Sequence, residues 1–159
     1  MLVGQMVASC EAFSKLKTGL EERNVTVAAY FAGGKPFTDD WVEEMANELK
    51  GADAVVLGLA SDEMLALAEL SVARVAAQAG IPYGFYADTY GVCRRKWFED
   101  VREKASFIFV INEEEARMSR ELYPNSKVVV SGNPRWEDFF YPRFSREEVR
   151  EKLGVGNDE

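Results

Sequence analysis

The chain has 159 residues, 47% hydrophobic and 29% charged, which fits one globular domain of the usual ~100–200 residues and excludes disordered and fibrous classes. Its net charge of −8 excludes a general nucleic-acid coat, because phosphate neutralisation needs a basic face. It contains no histidine, which removes histidine triads, histidine bases and nearly all zinc sites.

Leu2 to Ser9 reads as a first strand, with Ser9 capping a helix that runs to Asn24. Phe13, Leu16 and Leu20 recur at helical spacing and give that helix its buried face. Val25 to Ala32 is a second strand, followed by the loop Gly33-Gly34-Lys35-Pro36-Phe37. Thr38 caps the next helix, which carries Trp41, Met45 and Leu49 on one face and stops at Gly51. Ala52 to Ala60 is a continuous apolar run, the pattern of a strand buried on both faces. Asp62 and Glu63 open an alanine-rich helix that Gly80 closes. Ile81 to Asp88 is a fourth strand, and Arg94 to Ala105 a fourth helix. Ser106 to Ile111 is a fifth strand, and Asn112 with Glu115 forms a capping box for the helix behind it. Ser126 to Gly132 is a sixth strand. An irregular aromatic segment follows, then a capping box at Ser145 and Glu148 and a short helix; Val155 to Glu159 reads as the start of a linker.

Strands alternating with helices at this interval predict an α/β fold. The expected form is three-layer and Rossmann-like, a six-stranded, mostly parallel sheet with helices on both faces. Strand order 3-2-1-4-5-6 is the default for six such units. Residues 1–142 are read as the domain, and 143–159 as a C-terminal helix and hinge. Cys10 and Cys93 show no Cys-x-x-Cys spacing, and no signal peptide leads the chain, so the expected compartment is the cytoplasm. The longest apolar-leaning stretch, Met64 to Ala79, is broken by Glu69, Arg74 and Gln78, so no membrane span is expected.

No Gly-x-Gly-x-x-Gly follows the first strand, and Gly33-Gly34-Lys35 lacks the spacing of a phosphate-cradling loop. No cofactor or metal is therefore expected. Ligands of open parallel sheets bind at the carboxyl ends of the strands, where strand order reverses. Under the default order the reversal lies between strands one and four. That brings Ser9 and Cys10 next to the loop Asp88 to Lys96. The loop offers Asp88, Thr89 and Tyr90, then three consecutive cations, Arg94, Arg95 and Lys96, suited to a phosphate or carboxylate. Solvated charges at a helix start explain the same run. Asp62, Glu63 and Asp88 are the candidate acids for general acid–base work; the first two equally suit a helix dipole. Cys10 and Cys93 read as small core residues or as thiols near helix starts.

The stretch Val128 to Val155 runs from a strand ending Ser-Gly-Asn-Pro, through an aromatic segment, to a capped helix ending Lys-Leu-Gly-Val. It resembles the hinge of GT-B-fold proteins, the glycosyltransferases and UDP-GlcNAc 2-epimerase-like proteins. The resemblance extends upstream to about residue 95. It implies the acceptor-side N-terminal domain of a nucleotide-sugar enzyme, acting by sugar transfer or epimerisation, with Asn133 and Arg135 beside a small-molecule acceptor. It also implies that the donor site lies in a second domain or subunit, so this chain alone is expected to be inactive. The first-domain histidines of the epimerases are missing. A non-catalytic ligand-binding or interaction domain on the same scaffold is the alternative.

Overall fold

A computed structural model describes residues 1–35, 38–141 and 144–155. Pro36 and Phe37 of the glycine loop, Pro142 and Arg143 of the aromatic segment, and the linker residues 156–159 lie outside the described residues.

Six parallel strands form one sheet: β1 (Leu2–Gly4), β2 (Ala29–Phe31), β3 (Val55–Leu57), β4 (Tyr83–Ala87), β5 (Phe107–Val110) and β6 (Lys127–Val130). Between and after them run α1 (Val7–Glu21), α2 (Asp39–Leu49), α3 (Leu67–Ala79), α4 (Glu99–Arg102), α5 (Glu113–Leu122), α6 (Glu137–Phe140) and α7 (Arg146–Leu153). The fold is α/β, Rossmann-like and three-layered.

The strand order is 2-1-3-4-5-6, not 3-2-1-4-5-6. β3 pairs with β1 on one side and β4 on the other. Its residues bury both faces: Val55 and Leu57 are fully enclosed, and Val56 packs under Leu2 and Phe13. Such a strand loses too much apolar burial at an edge. β2, in which Tyr30 alone is buried, takes the edge instead.

The direction of stepping decides the layers. β1 to β2 steps one way across the sheet, and every later connection steps the other way. With right-handed crossovers, α1 falls on one face and α2 to α5 on the opposite one. The packing agrees. Ala12 and Phe13 of α1 cluster with Leu2, Tyr86, Val56 and Phe109. Met45 and Leu49 of α2, Ala73 and Ala76 of α3, Val101 of α4 and Met118 of α5 cluster with Val3, Leu57, Phe85, Ile108 and Val110. The α1 face is completed by the segment after β6, where Pro134 joins Phe13, Leu16 and Phe109 around an apolar crevice of about 110 Å³.

Several local expectations shift. α1 starts at Val7 with Met6 at its cap position; Ser9 lies inside the first turn and its hydroxyl donates back to the Met6 carbonyl at 3.0 Å. α3 starts at Leu67, after a turn that holds Asp62 and Glu63. Gly80 ends it in the left-handed conformation, φ 69°. Thr38 caps α2 and the capping box of α7 forms, as the sequence implies. Among the described residues no helix is long and apolar enough to cross a membrane.

Candidate functional site

With order 2-1-3-4-5-6 the reversal lies between β1 and β3, so the expected reversal between β1 and β4 is corrected. At the carboxyl ends of the strands stand Gln5 and Met6 after β1, Gly58 to Ser61 after β3, and Asp88 after β4.

Glu69 ties this part of the rim together. It is fully buried on α3, and its carboxylate accepts Gln5 N–H at 3.1 Å and Ala60 N–H at 2.9 Å. One side chain thus ties the ends of β1 and β3. Gly58 makes room for it: a Cβ there would lie 2.4 Å from Glu69 Oε1 and 3.0 Å from Ser9 Oγ. Burial pushes the Glu69 carboxyl from its ordinary 4.5 up to about 7. The two backbone donors and Arg95 oppose that rise, and Asp88 adds to it. In the sequence Glu69 reads only as an interruption of an apolar helix. Its position on the stripe formed by Ala66, Val72, Ala73 and Ala76 is the signal that it points inward.

The loop from Asp88 to Phe98 is fixed from four directions. Glu115, buried on α5, accepts Gly91 N–H at 2.8 Å and Cys93 N–H at 3.4 Å. Asn112 does cap the Glu115 N–H at 2.9 Å, but the Glu115 side chain serves the loop. Arg102 of α4 donates to the Arg95 carbonyl at 2.5 Å, and its guanidinium stacks 5.6 Å from the Tyr123 ring centre. Trp97 Nε1 donates to the Ala60 carbonyl at 3.2 Å. Asn133 Nδ2 donates to the Asp88 carbonyl at 2.8 Å, while its Oδ1 accepts Arg135 N–H at 3.0 Å.

The three cations diverge. Arg94 is exposed and places Nη2 2.7 Å from Met118 Sδ. Lys96 is exposed. Arg95 is half-buried; burial lowers its guanidinium from the ordinary value, and Asp88 and Glu69 oppose that. Burial also raises the Asp88 carboxyl, against the pull of Arg95 and Arg135. Arg135 Nε pairs with Glu11 Oε2 at 2.6 Å.

Asp88 thus carries Asn133 on its carbonyl, and Arg95 and Arg135 act on its carboxylate electrostatically. The remaining candidates stand elsewhere. Asp62 accepts the N–H groups of Met64 and Leu65 in its own turn, at 2.9 and 3.3 Å. Glu63 and Thr89 are exposed, and the Tyr90 hydroxyl donates to Glu114 on α5 at 2.7 Å. Ser9 is buried with its hydroxyl on the Met6 carbonyl. Cys10 Sγ donates to the Gly4 carbonyl at 3.1 Å.

Both cysteines are buried and free. Burial raises the Cys10 thiol, and burial with Glu115 pushes Cys93 up to about 12. The thiolate is the reactive form. Neither thiol of the folded protein is expected to react with an aromatic disulfide reagent at pH ~8 within minutes, whereas both react in denaturant. Rapid labelling of one thiol in the native state would contradict this placement.

No protein-family model, curated protein or solved structure matches the chain.

Proposed function

We propose that this is the acceptor-side domain of a two-domain nucleotide-sugar enzyme of the GT-B type, with Asp88 as the base. In this reading Asp88 takes the proton of an acceptor hydroxyl as that oxygen attacks the anomeric carbon of the donor. The bond from that carbon to the diphosphate breaks, and the diphosphate leaves with the electron pair. A carboxyl raised by burial is better matched to proton transfer near neutral pH than an ordinary one. The supporting observation is the Ser-Gly-Asn-Pro turn. Asn133 joins the segment after β6 to the Asp88 backbone, so the resembled hinge and the acid sit on one rigid corner.

Calorimetry tests the reading. Residues 1–159 titrated with UDP-glucose or UDP-GlcNAc are expected to bind no tighter than millimolar, because the donor site belongs to the second domain. Micromolar binding by this chain alone overturns it. In the product of the whole reading frame, or in the complex with a donor-binding subunit, Asp88→Asn is expected to lower turnover about 10²–10⁴-fold.

A non-catalytic binding domain is the second reading. It is favoured by the absence of histidine and by the way Asp62, Glu69 and Glu115 are occupied with backbone N–H groups. No sugar transfer by the whole protein, with a ligand still bound by this chain, would decide for it; unchanged turnover in Asp88→Asn would remove Asp88 as the base.

A further inference from the structure

The segment behind β6 exposes a run of apolar side chains. Trp136 is 42% exposed, Phe140 80%, Tyr141 81% and Phe144 48%. α7 continues the strip: Val149 and Leu153, one helical turn apart, are both exposed. Lys152 joins the two parts, with Nζ 3.6 Å from the centre of the Phe144 ring. A scattered apolar residue on a surface needs no explanation, but four exposed rings within nine residues mark an interface.

The area has the size of a protein–protein contact. At about 200 Å² for a whole ring side chain, the four rings expose roughly 500 Å². A standard interface buries about 800 Å² a side, of which about 450 Å² is apolar. The rings alone therefore supply the apolar share of one such face.

The chain carries −8, so two copies repel over most of their surface. Residues 134–155 hold five basic and five acidic residues, so the strip is neutral and the whole excess of acid lies outside it. Two copies meet here without bringing excess charge together.

The receiving half of the contact lies beside the strip. Pro134, which begins it, also walls the crevice of about 110 Å³ under α1. Phe13, Leu16, Tyr86 and Phe109 supply other walls, and the lining is almost entirely carbon. A space of about 150 Å³ with such walls stays dry and takes up benzene, so this one admits a single ring. Phe140 is the more exposed of the two phenyl rings, whereas the Tyr141 hydroxyl would lose its water there. One chain thus carries a protruding ring and a ring-sized recess on neighbouring residues, the self-complementarity that a two-fold axis requires.

We infer that two copies of this chain pair about a two-fold axis through this strip, the Phe140 ring of each seated in the crevice of the other. The dimer does not rest on the acceptor-domain reading.

Sedimentation velocity of residues 1–159 over a range of about 1–200 µM tests it. A monomer–dimer equilibrium with a Kd of about 1–50 µM is expected, the weak end for a contact of this area. Phe140→Asp should weaken it at least about 10-fold. Ala12→Leu, which fills the crevice from α1, should weaken it as well. Met64→Asp, at a residue 73% exposed in the turn before α3, should leave it unchanged. Phe140 is on the surface, so its variant is expected to melt like wild type. Should Ala12→Leu fail to fold, Leu16→Phe narrows the same crevice from a half-buried position. A monomer at the highest concentration overturns the dimer, and so does association that Phe140→Asp leaves intact. Growth past the dimer also overturns it, because a two-fold contact closes. Hydrogen exchange reads the other occupant: a monomeric chain whose Phe140 and Tyr141 gain protection only in the product of the whole reading frame gives the strip to the second domain and overturns the pairing of copies.

Discussion

Adding a single methyl group at Gly84 is expected to lower the melting temperature by about 10 °C, or to prevent folding. Gly84 lies on β4, inside the sheet, with β3 on one side and β5 on the other. A Cβ there would fall 2.2 Å from the Phe107 carbonyl oxygen and 2.3 Å from Phe107 Cδ2. The ring can turn; the carbonyl cannot withdraw without opening the β4–β5 ladder. Overpacking of this kind costs about 3 kcal/mol or more. In a chain of this length each kcal/mol is worth about 2–4 °C. Calorimetric melting of Gly84→Ala checks it, and a melting point within about 2 °C of wild type would show that the strands separate more easily than argued.

The second large effect concerns pH. Glu69 has a folded-state pKa of about 7 against an ordinary 4.5, so the folded protein holds this proton more tightly than the unfolded chain. The associated stability is complete below pH 4.5 and is lost as pH rises through about 7. The full span corresponds to about 3 kcal/mol, of which about 2 falls between roughly pH 5.5 and 8. Glu69→Gln removes the titration. It also turns an amide N–H₂ toward one of the two backbone donors, at a cost of about 1–3 kcal/mol at every pH. The variant is therefore expected to be clearly less stable than wild type near pH 5.5, and the gap to shrink by about 2 kcal/mol near pH 8. Asp88 shifts in the same direction but is present in both proteins, so its share cancels. Urea denaturation of both proteins at the two pH values measures the gap. Parallel profiles would mean that Glu69 is ionised throughout.

Periodicity made the layers of this fold legible. Apolar runs at Ala52 to Ala60 and Ser106 to Ile111 mark β3 and β5, and the four-residue spacing of Met45 and Leu49 marks the inner face of α2. The strand order is legible too: a strand apolar on both faces belongs inside a sheet. The stretch Arg94 to Ala105 has helical composition but folds as two tight turns before the short α4. Arg95 is extended between those turns, at φ −61° and ψ 117°, and Arg102 holds its carbonyl there. No local pattern encodes a bond formed by a side chain seven residues away.

The site divides along a similar line. Asp88, Arg95, Asn133 and Arg135 stand out in the sequence as candidates by residue type and loop position. Glu69 is marked only by its place on an apolar stripe, and Arg102 and Glu115 by nothing, since charged residues on helices usually face water. Here each points inward to satisfy backbone groups from another part of the chain. Adjacent identical charges were equally opaque: nothing in Arg94-Arg95-Lys96 says that the middle side chain turns in and its neighbours turn out.

The ties around the carboxyl rim have a kinetic meaning. Glu69 reaches 64 residues back to Gln5, Glu115 reaches 24 back to Gly91, and Asn133 reaches 45 back to Asp88. Each of these three segments is thereby tied to an element distant in sequence, and none of the three can swing out without breaking a bond to the body of the domain. A molecule arriving at this part of the rim meets segments already held in place. Little ordering entropy remains to be lost on contact, so a few polar contacts suffice for useful affinity. Association then proceeds at the pace of diffusional encounter, with residence time set by how well the visitor's own groups match the rim.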